Sequence, residues 1–226
     1  MKAYFLTGTD TGIGKTTVAC ALLAKARQQG RSTLGLKPVA AGCEPTPEGL
    51  RNSDALQLQA VSTIKLSYPE VNPVALAEPL SPHLAARAAG RRLTIFQLTG
   101  HVRSGLMHRA DLTLVEGAGG WRVPLSDREL LSGLPKDLKM PVVLVVGMRL
   151  GCLNHAVLTA EAIIKDGLRL AGWVANQTDP EMQAVEDNLA TLRAMLPGPC
   201  LGFIPYQLET DPEIMAAHLD ISPLIG

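Results

Sequence analysis

The sequence lacks the features that mark nucleic-acid-binding and membrane proteins. Its 226 residues have no net charge, because 21 Lys and Arg residues balance 21 Asp and Glu residues. A neutral chain of this kind argues against binding to nucleic acid or to an anionic membrane surface. The most apolar stretch, Val142–Met148, is far shorter than the roughly 20 residues that span a bilayer. We therefore expect neither nucleic acid nor a membrane among its partners.

Cysteine and aromatic residues are also scarce. The four cysteines are widely spaced and form no CxxC pair, so neither a metal knuckle nor a redox dithiol has local support. The N-terminal segment MKAYFLTGTDTGIGK reaches polar, glycine-rich sequence too soon for a signal peptide, and we expect a reduced, cytoplasmic protein. Aromatics make up only 4%, so Ala, Leu, Val and Ile must build the core, as in parallel sheets covered by helices.

What the sequence does contain is an alternation of strand and helix patterns. The predicted strands are nearly continuous in apolar residues, which suits strands buried on both faces; they cover residues 3–7, 33–39, 112–117, 142–146, 170–176 and 200–205. Helical patterns cover residues 16–29, 154–165 and 182–196. This order predicts one α/β domain over residues 1–226, with a doubly wound, mostly parallel sheet and helices on both faces.

Two segments depart from a plain alternation. Residues 42–81 are rich in proline and read as an excursion from the core, with a short helix that starts near Ser53. In residues 154–165, the spacing of Val157, Ala160 and Ile164 predicts the buried face of the helix.

A glycine-rich loop follows the first predicted strand and precedes a helix. It reads GTDTGIGKTT from Gly8 onward, the order of elements that cradles phosphate on backbone N–H groups. Lys15 would reach the β and γ phosphates of ATP, and the Thr16 hydroxyl would face Mg²⁺. Five residues rather than four separate Gly8 from Gly14, so the loop differs from the standard P-loop spacing.

Three charged residues stand where ligands of α/β proteins bind. Glu116 ends one strand pattern and Lys37 ends another, and the carboxyl ends of parallel strands form the usual binding edge. We predict Glu116 as a metal ligand and Lys37 as the partner of an anion, against the alternatives of an ordinary salt bridge and a solvated lysine. Asp54 is either a third site residue or a carboxylate that favours a helix N-terminus.

Longer blocks of sequence resemble the ATP-dependent dethiobiotin synthetase family. They span nearly the whole chain and read, in order, GTDTGIGKT, KPVAAG, EGLRNSDA, VNPVALAEPLSPHLAA, VEGAGGW, LGCLNHAVLTAEAI, GWVAN and GFIPY. The P-loop block is shared with many ATPases, whereas VEGAGGW, SPHLAA and LGCLNH are far more specific. The resemblance implies a P-loop NTPase-like fold that closes the ureido ring of dethiobiotin from 7,8-diaminopelargonic acid, CO₂ and ATP, with Mg²⁺ as cofactor.

The resemblance also implies roles for individual residues. Thr11 and Lys37 would bind the carbamate, and Lys37 and Lys15 the γ-phosphate, which makes these three the catalytic candidates. Mg²⁺ would be held by Thr16, Asp54 and Glu116. The nucleotide would contact Gly12, Ile13, Gly14, Lys15, Thr16, Thr17, Asp54, Glu116, Gly117, Ala118 and Gly119, with Asn176, Pro205, Tyr206 and Gln207 near adenine.

The remaining implied contacts cross a homodimer interface. There the substrate tail would meet Leu150, Gly151, Cys152 and Asn154. Cys152 is then a small packing residue rather than a nucleophile, and His155 lies at a helix start rather than acting as a base.

The chain departs from the family pattern at two positions. Ala41 stands where the family has Ser or Thr, so a substrate hydrogen bond is missing, and we expect weaker substrate binding rather than lost chemistry. Tyr206 stands where tryptophan is familiar. The tail from Glu209 to Gly226 has no motif to interpret.

Two other functions fit parts of the pattern. A nucleotide switch resembling ParA and MinD ATPases shares the fold, but such proteins have a second lysine near the start of the P-loop, where this chain has Thr9 and Asp10. A ligase resembling the cobyrinic-acid amidotransferases needs a glutaminase domain, for which no residues remain.

Overall fold

A six-stranded parallel sheet forms the centre of the computed structural model, which describes residues 2–207 and 210–226. The ten strands are β1 (Lys2–Gly8), β2 (Thr33–Leu36), β3 (Val39–Ala40), β4 (Glu44–Thr46), β5 (Gly49–Arg51), β6 (Val74–Ala75), β7 (Leu112–Glu116), β8 (Val142–Met148), β9 (Leu170–Gln177) and β10 (Cys200–Ile204). The central sheet has the order β10-β9-β8-β1-β7-β2, and every neighbouring pair in it is parallel. The predicted doubly wound sheet is confirmed.

Helices cover both faces of this sheet. They are α1 (Lys15–Gln28), α2 (Ser53–Val61), α3 (Tyr68–Val71), α4 (Pro82–Ala88), α5 (Ile95–Leu106), α6 (Gly133–Asp137), α7 (Cys152–Lys165), α8 (Val185–Met195), α9 (Pro212–Met215) and α10 (Ser222–Ile225), with a 3₁₀ turn at Ala216–His218. Among the described residues, no helix combines the length and the apolar character needed to cross a membrane. The uninterpreted tail forms the last two helices, although its first residue, Glu209, lies outside the described residues.

Burial on both faces explains the continuous apolar strands. Along β8, Val142, Leu144 and Val146 belong to the core on one side of the sheet, together with α5, α7 and α8. Val143 and Val145 belong to the opposite core, together with α1. Successive strand residues point to opposite faces, so each of these residues needs an apolar side chain.

The second predicted strand ends earlier than expected. Residues 33–39 were predicted as one strand, but β2 stops at Leu36 and the chain leaves the sheet. The N–H of Lys37 donates to the carbonyl of Val71, at 2.9 Å, instead of joining the sheet. Pro38 has no N–H to donate, so the ladder cannot continue there.

The helix ends and faces differ from prediction in three places. α7 begins at Cys152 rather than 154, and its buried residues include Ala156, Ala160 and Ile163, while Ile164 is half exposed. The face predicted through Ile164 is therefore wrong, because Ile163 and Ile164 are adjacent and only one can face the sheet. α8 begins at 185 rather than 182, after Ala184 takes a left-handed conformation with φ of 51°.

The proline-rich excursion returns to the carboxyl edge of the sheet. It contains a short antiparallel hairpin, β4 with β5, and then α2, which begins at Ser53 as predicted. The side chain of Asn52 caps α2 by accepting a hydrogen bond from the N–H of Ala55. The cap fixes the start of α2, and with it the position of Asp54 in the first turn.

Candidate functional site

The glycine-rich loop joins the end of β1 to the start of α1. Gly12 and Gly14 have φ of 71° and 78°, a conformation that other residues adopt only with strain. Gly14 is also closely packed, because a Cβ there would lie 2.3 Å from the Nδ2 atom of Asn176. The N-terminus of α1, with its free N–H groups, faces this loop and favours an anion.

Asn176, near the end of β9, contacts the backbone of the glycine-rich loop. Its Nδ2 donates a hydrogen bond to the carbonyl of Ile13, at 2.8 Å, and the contact is buried. The sequence analysis predicted Asn176 in the nucleotide site, and the structure places it against the loop backbone. Its contact with adenine stays a prediction.

A buried ion-pair cluster lies beside the loop. The Lys37 Nζ is 2.5 Å from Glu116 Oε1 and 2.9 Å from Asp54 Oδ2. The Thr16 hydroxyl donates to the same Glu116 Oε1 at 2.8 Å. Lys37, Asp54, Glu116 and Thr16 therefore meet at one point, although they come from four different segments. Strand-end positions and the P-loop motif predicted that Thr16, Lys37 and Glu116 lie at one edge, and Asp54 was added by the family resemblance. A salt bridge was considered only as the alternative for Glu116, without Lys37 as its partner.

The cluster changes the proton affinities of its members. Burial alone would lower the pKa of Lys37, but the carboxylates of Glu116 and Asp54 outweigh it and raise the pKa. Burial acts to raise the pKa of Asp54, yet the Lys37 charge and hydrogen bonds hold it below its usual value. Burial and the nearby Lys37 charge lower the pKa of Lys15, whose Nζ donates to the carbonyl of Asp10. Lys37 is therefore held in its charged form.

The oxygens at this cluster suit a hard divalent cation. Glu116 is fully buried, and its Oε2 atom has no hydrogen-bond partner within residues 2–207 and 210–226. The Thr16 hydroxyl and the Asp54 carboxylate add two more oxygen ligands nearby. In this part of the chain, no group of three or more His, Cys, Asp or Glu residues could hold a metal. An ion here would thus take further ligands from water or phosphate, as Mg²⁺ commonly does.

The loop and the cluster line one cavity of about 630 Å³. Eleven of the predicted site residues line it: Thr11, Gly12, Gly14, Lys15, Thr16, Thr17, Lys37, Asp54, Glu116, Ala118 and Gly119. Ala41 lines it too, so the missing hydroxyl faces the cavity. Residues 79–82 also line the cavity. No role was predicted for them, although the block SPHLAA covers Ser81 and Pro82.

The other predicted residues lie outside this cavity lining. Leu150 is 97% exposed and Asn154 is exposed, whereas Cys152 is buried, as expected of a packing residue. Gly151 has φ of 94° and precedes α7. Tyr206 is partly exposed in the segment Pro205 to Gln207 after β10, and its N–H donates to Gln177 Oε1.

Two carboxylates near the site, Asp10 and Asp166, make contacts that were not predicted from the sequence. Asp10 accepts a hydrogen bond from the N–H of Thr11 at 2.7 Å and pairs with Arg149, which links the loop to the segment after β8. Asp166 accepts hydrogen bonds from Trp121 Nε1 at 2.9 Å and from Arg122 at 2.6 Å. Trp121 ends the VEGAGGW block, so Asp166 holds the far end of the loop that begins at Glu116.

Comparisons with known proteins show which family the chain is similar to. A family model described as "AAA domain" matches residues 2–214. The ATP-dependent dethiobiotin synthetase BioD of Pseudomonas aeruginosa (strain UCBPP-PA14) is 59% identical over 224 residues, covering 99% of this chain and 98% of that protein. Proteins of the same name from Cellvibrio japonicus and Marinobacter nauticus are 58% and 51% identical, covering 98% and 97% of their lengths and 99% and 98% of this chain.

Solved structures resemble the fold at low identity. A ParA family ATPase from Chlorobium tepidum aligns with a TM-score of 0.57 at 9% identity, covering 99% of this chain and 95% of the other. The septum site-determining protein MinD from Pyrococcus horikoshii, complexed with Mg-ADP, aligns with a TM-score of 0.56 at 16% identity, covering 96% and 86%. At these identities the likeness shows the P-loop fold alone.

Proposed function

The chain belongs to the ATP-dependent dethiobiotin synthetase family, and from this we propose that it closes the ureido ring of dethiobiotin. One amine of 7,8-diaminopelargonic acid adds to CO₂ and forms a carbamate. A carbamate oxygen attacks the γ-phosphorus of ATP, and ADP leaves. The second amine then attacks the carbonyl carbon of the carbamic-phosphoric anhydride and expels phosphate. The reaction is that of an ATP-dependent cyclo-ligase, with one ADP and one phosphate released per ring.

The observation that carries the proposal is the cavity where the phosphate loop and the charged cluster meet. A carbamate beside a triphosphate concentrates negative charge, which repels the attacking oxygen. Lys15 and Lys37 both line the cavity and would offset this repulsion. Thr11 lines it as well and would donate a hydrogen bond to the carbamate. Phosphoryl transfer needs little from a protein beyond such positioning and charge.

Thr16, Asp54 and Glu116 would hold Mg²⁺. The Glu116 Oε2 atom, which has no hydrogen-bond partner among the described residues, and the adjacent Thr16 hydroxyl support this assignment. When bound, the ion would neutralise oxygens of the β and γ phosphates. Asp54 has the most exposed side chain of the three, and all three line the cavity.

The rest of the nucleotide would lie along the glycine-rich loop. The N–H groups of residues 12–17 would bind the phosphates, and the backbone of residues 117–119 would approach them from the other side. Asn176 already donates its Nδ2 to the loop, so its Oδ1 is the atom that would accept from the amino group of adenine. Residues 205–207, after β10, would complete the adenine pocket.

We further propose a single ligase domain over residues 1–226 that works as a cytoplasmic homodimer. Leu150 exposes nearly all of its apolar side chain, which a second protomer would remove from water. Across the interface, Leu150, Gly151 and Asn154 of one protomer would meet the substrate tail bound by the other. Cys152 would take part only through its backbone, because its side chain is buried in the core. Met1, Leu208 and Glu209 fall within this range but outside the described residues.

A nucleotide-switch function is the alternative that the fold allows. The likeness to ParA and MinD proteins is one of fold, and the chain has Thr9 and Asp10 where those proteins have a second lysine. The high identity to dethiobiotin synthetases over nearly the full length favours the ligase.

The decisive experiment measures whether ATP cleavage depends on the diamine. Purified protein with 7,8-diaminopelargonate, bicarbonate, ATP and Mg²⁺ should release ADP and dethiobiotin in equal amounts. The Lys37→Met variant should lose about 100-fold or more in turnover because it removes a charge that stabilises the transition state. The Lys65→Met variant is the control, since Lys65 is exposed and outside the cavity lining. ADP release that ignores the diamine would exclude the ligase.

A further inference from the structure

We propose that Lys37 is a resident cation of the metal site, which competes with the divalent ion for the same two carboxylates. The inference rests on the proposed metal ligands and adds a second role to a lysine already expected to contact the substrate. It follows from the contacts of the Lys37 ammonium, the burial of those contacts, and one carboxylate oxygen that the ammonium leaves unused.

All the donors of the Lys37 ammonium face protein acceptors. Its Nζ lies 2.5 Å from Glu116 Oε1, 2.9 Å from Asp54 Oδ2 and 3.4 Å from the carbonyl of Gly117. An ammonium has three N–H donors, so none remains for a carbamate or a phosphate. Lys37 must therefore give up at least one of these contacts before it can bind an anionic substrate, and the two shortest of them are to the carboxylates.

The carboxylates, in turn, cannot be left without a cation. The side chain of Glu116 is 0% exposed and that of Lys37 is 5% exposed, so water solvates these two charges far less than it would at the surface. Removing one partner of a buried pair leaves an uncompensated charge, which is strongly unfavourable. Lys37 can leave only when another cation takes its place.

A divalent ion would use a carboxylate oxygen that the Lys37 ammonium does not contact. Glu116 Oε1 accepts from both Lys37 and Thr16, while the buried Oε2 has no partner in the part of the chain that the structure describes. An ion bound by both carboxylate oxygens would satisfy Oε2 as well. The Asp54 side chain is 38% exposed and lines the cavity, which gives the ion a route of entry.

Because of this exchange, the Lys37 ammonium can contact an anionic substrate only after the metal has bound. Before the exchange, Lys15 and Lys37 balance Asp54 and Glu116, so the site has no net charge. After the exchange, the ion neutralises the carboxylates and the Lys37 ammonium is released toward the cavity. The site thus becomes positive only when the metal enters, which is when the anionic substrates need it.

The test is the binding of Mn²⁺ alone, as a probe for Mg²⁺, measured without nucleotide by electron paramagnetic resonance of the free ion. The Lys37→Met variant should bind Mn²⁺ at least tenfold more tightly than the unmodified protein. The Lys37→Arg variant should stay close to the unmodified protein, because it retains the competing charge. In the Lys37→Met/Glu116→Gln variant the gain should be lost. Lys65→Met serves as the control for loss of a surface lysine.

Equal or weaker Mn²⁺ binding by Lys37→Met would overturn the proposal, and so would a gain that survives the Glu116→Gln change. A second measurement avoids dependence on the folding of a variant. In unmodified protein labelled with ¹⁵N at lysine Nζ, the slowly exchanging Lys37 resonance should shift when Mg²⁺ and ADP are both present. An unchanged resonance at saturation would also refute the exchange. Neither readout uses the diamine, so failure of the ligase assay is distinguishable from failure of this proposal.

Discussion

Replacing Asp166 with Asn tests whether a partly buried carboxylate at the end of α7 stabilises the loop that begins at Glu116. Asp166 Oδ2 accepts hydrogen bonds from Trp121 Nε1 at 2.9 Å and Arg122 at 2.6 Å, and Oδ1 lies 3.4 Å from Lys136 Nζ. The Asp166 side chain is only 10% exposed. Asn can still accept one of the hydrogen bonds, but it removes the charge that both cations face.

The expected loss follows from one charge-assisted hydrogen bond. Such a bond contributes about 1.5–3 kcal/mol, so the free energy of unfolding of Asp166→Asn should fall by about 2 kcal/mol at pH 7. For a chain of this length, about 2 kcal/mol corresponds to a Tm roughly 4–8 °C lower. Asp127→Asn is the matched control, because Asp127 pairs with Arg87 at 3.0 Å but both side chains are well exposed. That control should lose less than about 1 kcal/mol.

The pH dependence separates the charge of Asp166 from its shape. Burial acts to raise the pKa of Asp166, but the hydrogen bonds from Arg122 and Trp121, with the nearby positive charges, outweigh it and hold the pKa below its ordinary value. A carboxyl group with a lowered pKa in the folded state stabilises the protein above its unfolded pKa and ceases to do so in acid. The deficit of Asp166→Asn should be constant between pH 7 and 5 and should shrink below about pH 4.

Urea unfolding followed by circular dichroism over this pH range measures both effects. Equal stability of the variant and the unmodified protein at pH 7 would show that the carboxylate contributes nothing. A deficit that persists unchanged below the folded pKa would show that packing, rather than charge, causes the loss.

Three further substitutions test the site itself. Gly14→Ala should weaken ATP binding at least about tenfold in a fluorescence titration, because the φ of Gly14 is 78° and the new Cβ would meet Asn176. Gly100→Ala is the control, because a Cβ at this helical glycine meets no other atom within 4 Å. Equal ATP affinities of the Gly14→Ala variant and the unmodified protein would contradict the prediction. Ala41→Ser should restore a hydrogen bond in the cavity and lower the KM for the diamine by about tenfold or more. An unchanged or raised KM would contradict this expectation. Cys152→Ala should retain its kcat, because Cys152 is a buried packing residue; a loss of about 100-fold would indicate a chemical role.

The central sheet was predictable because its strands are buried on both faces. Val142–Met148 consists of apolar residues and one glycine, and such a run bounded by turn signals is typical of a parallel strand. The phosphate loop was predictable for a related reason, since a strand, a glycine-rich turn and a helix start follow one another in sequence. These features depend on residues close together in the chain.

The helix α5 shows where this local reasoning stops. No helix was predicted over Ile95–Leu106, a segment that Gly100 and Gly105 interrupt. In the structure Phe96 is 88% exposed, so this apolar residue does not mark the buried face. The helix nevertheless forms. Thr94 caps its first turn, and Gly105 lies where a Cβ would be 2.7 Å from Leu36. A glycine that weakens the helix locally is thus required by packing against β2, which the segment itself does not reveal.

The contacts of Lys37 were unpredictable for an electrostatic reason. Strand order places Lys37 and Glu116 at one edge of the sheet, and a flexible lysine there can pair with any nearby anion. The resemblance to a family suggested only substrate anions. Burial decides among the candidates, since Glu116 is fully buried and would be strongly destabilising without a cation, whereas a substrate can be solvated. The most deeply buried carboxylate therefore determines where the lysine lies, and this burial depends on the packing of the whole sheet.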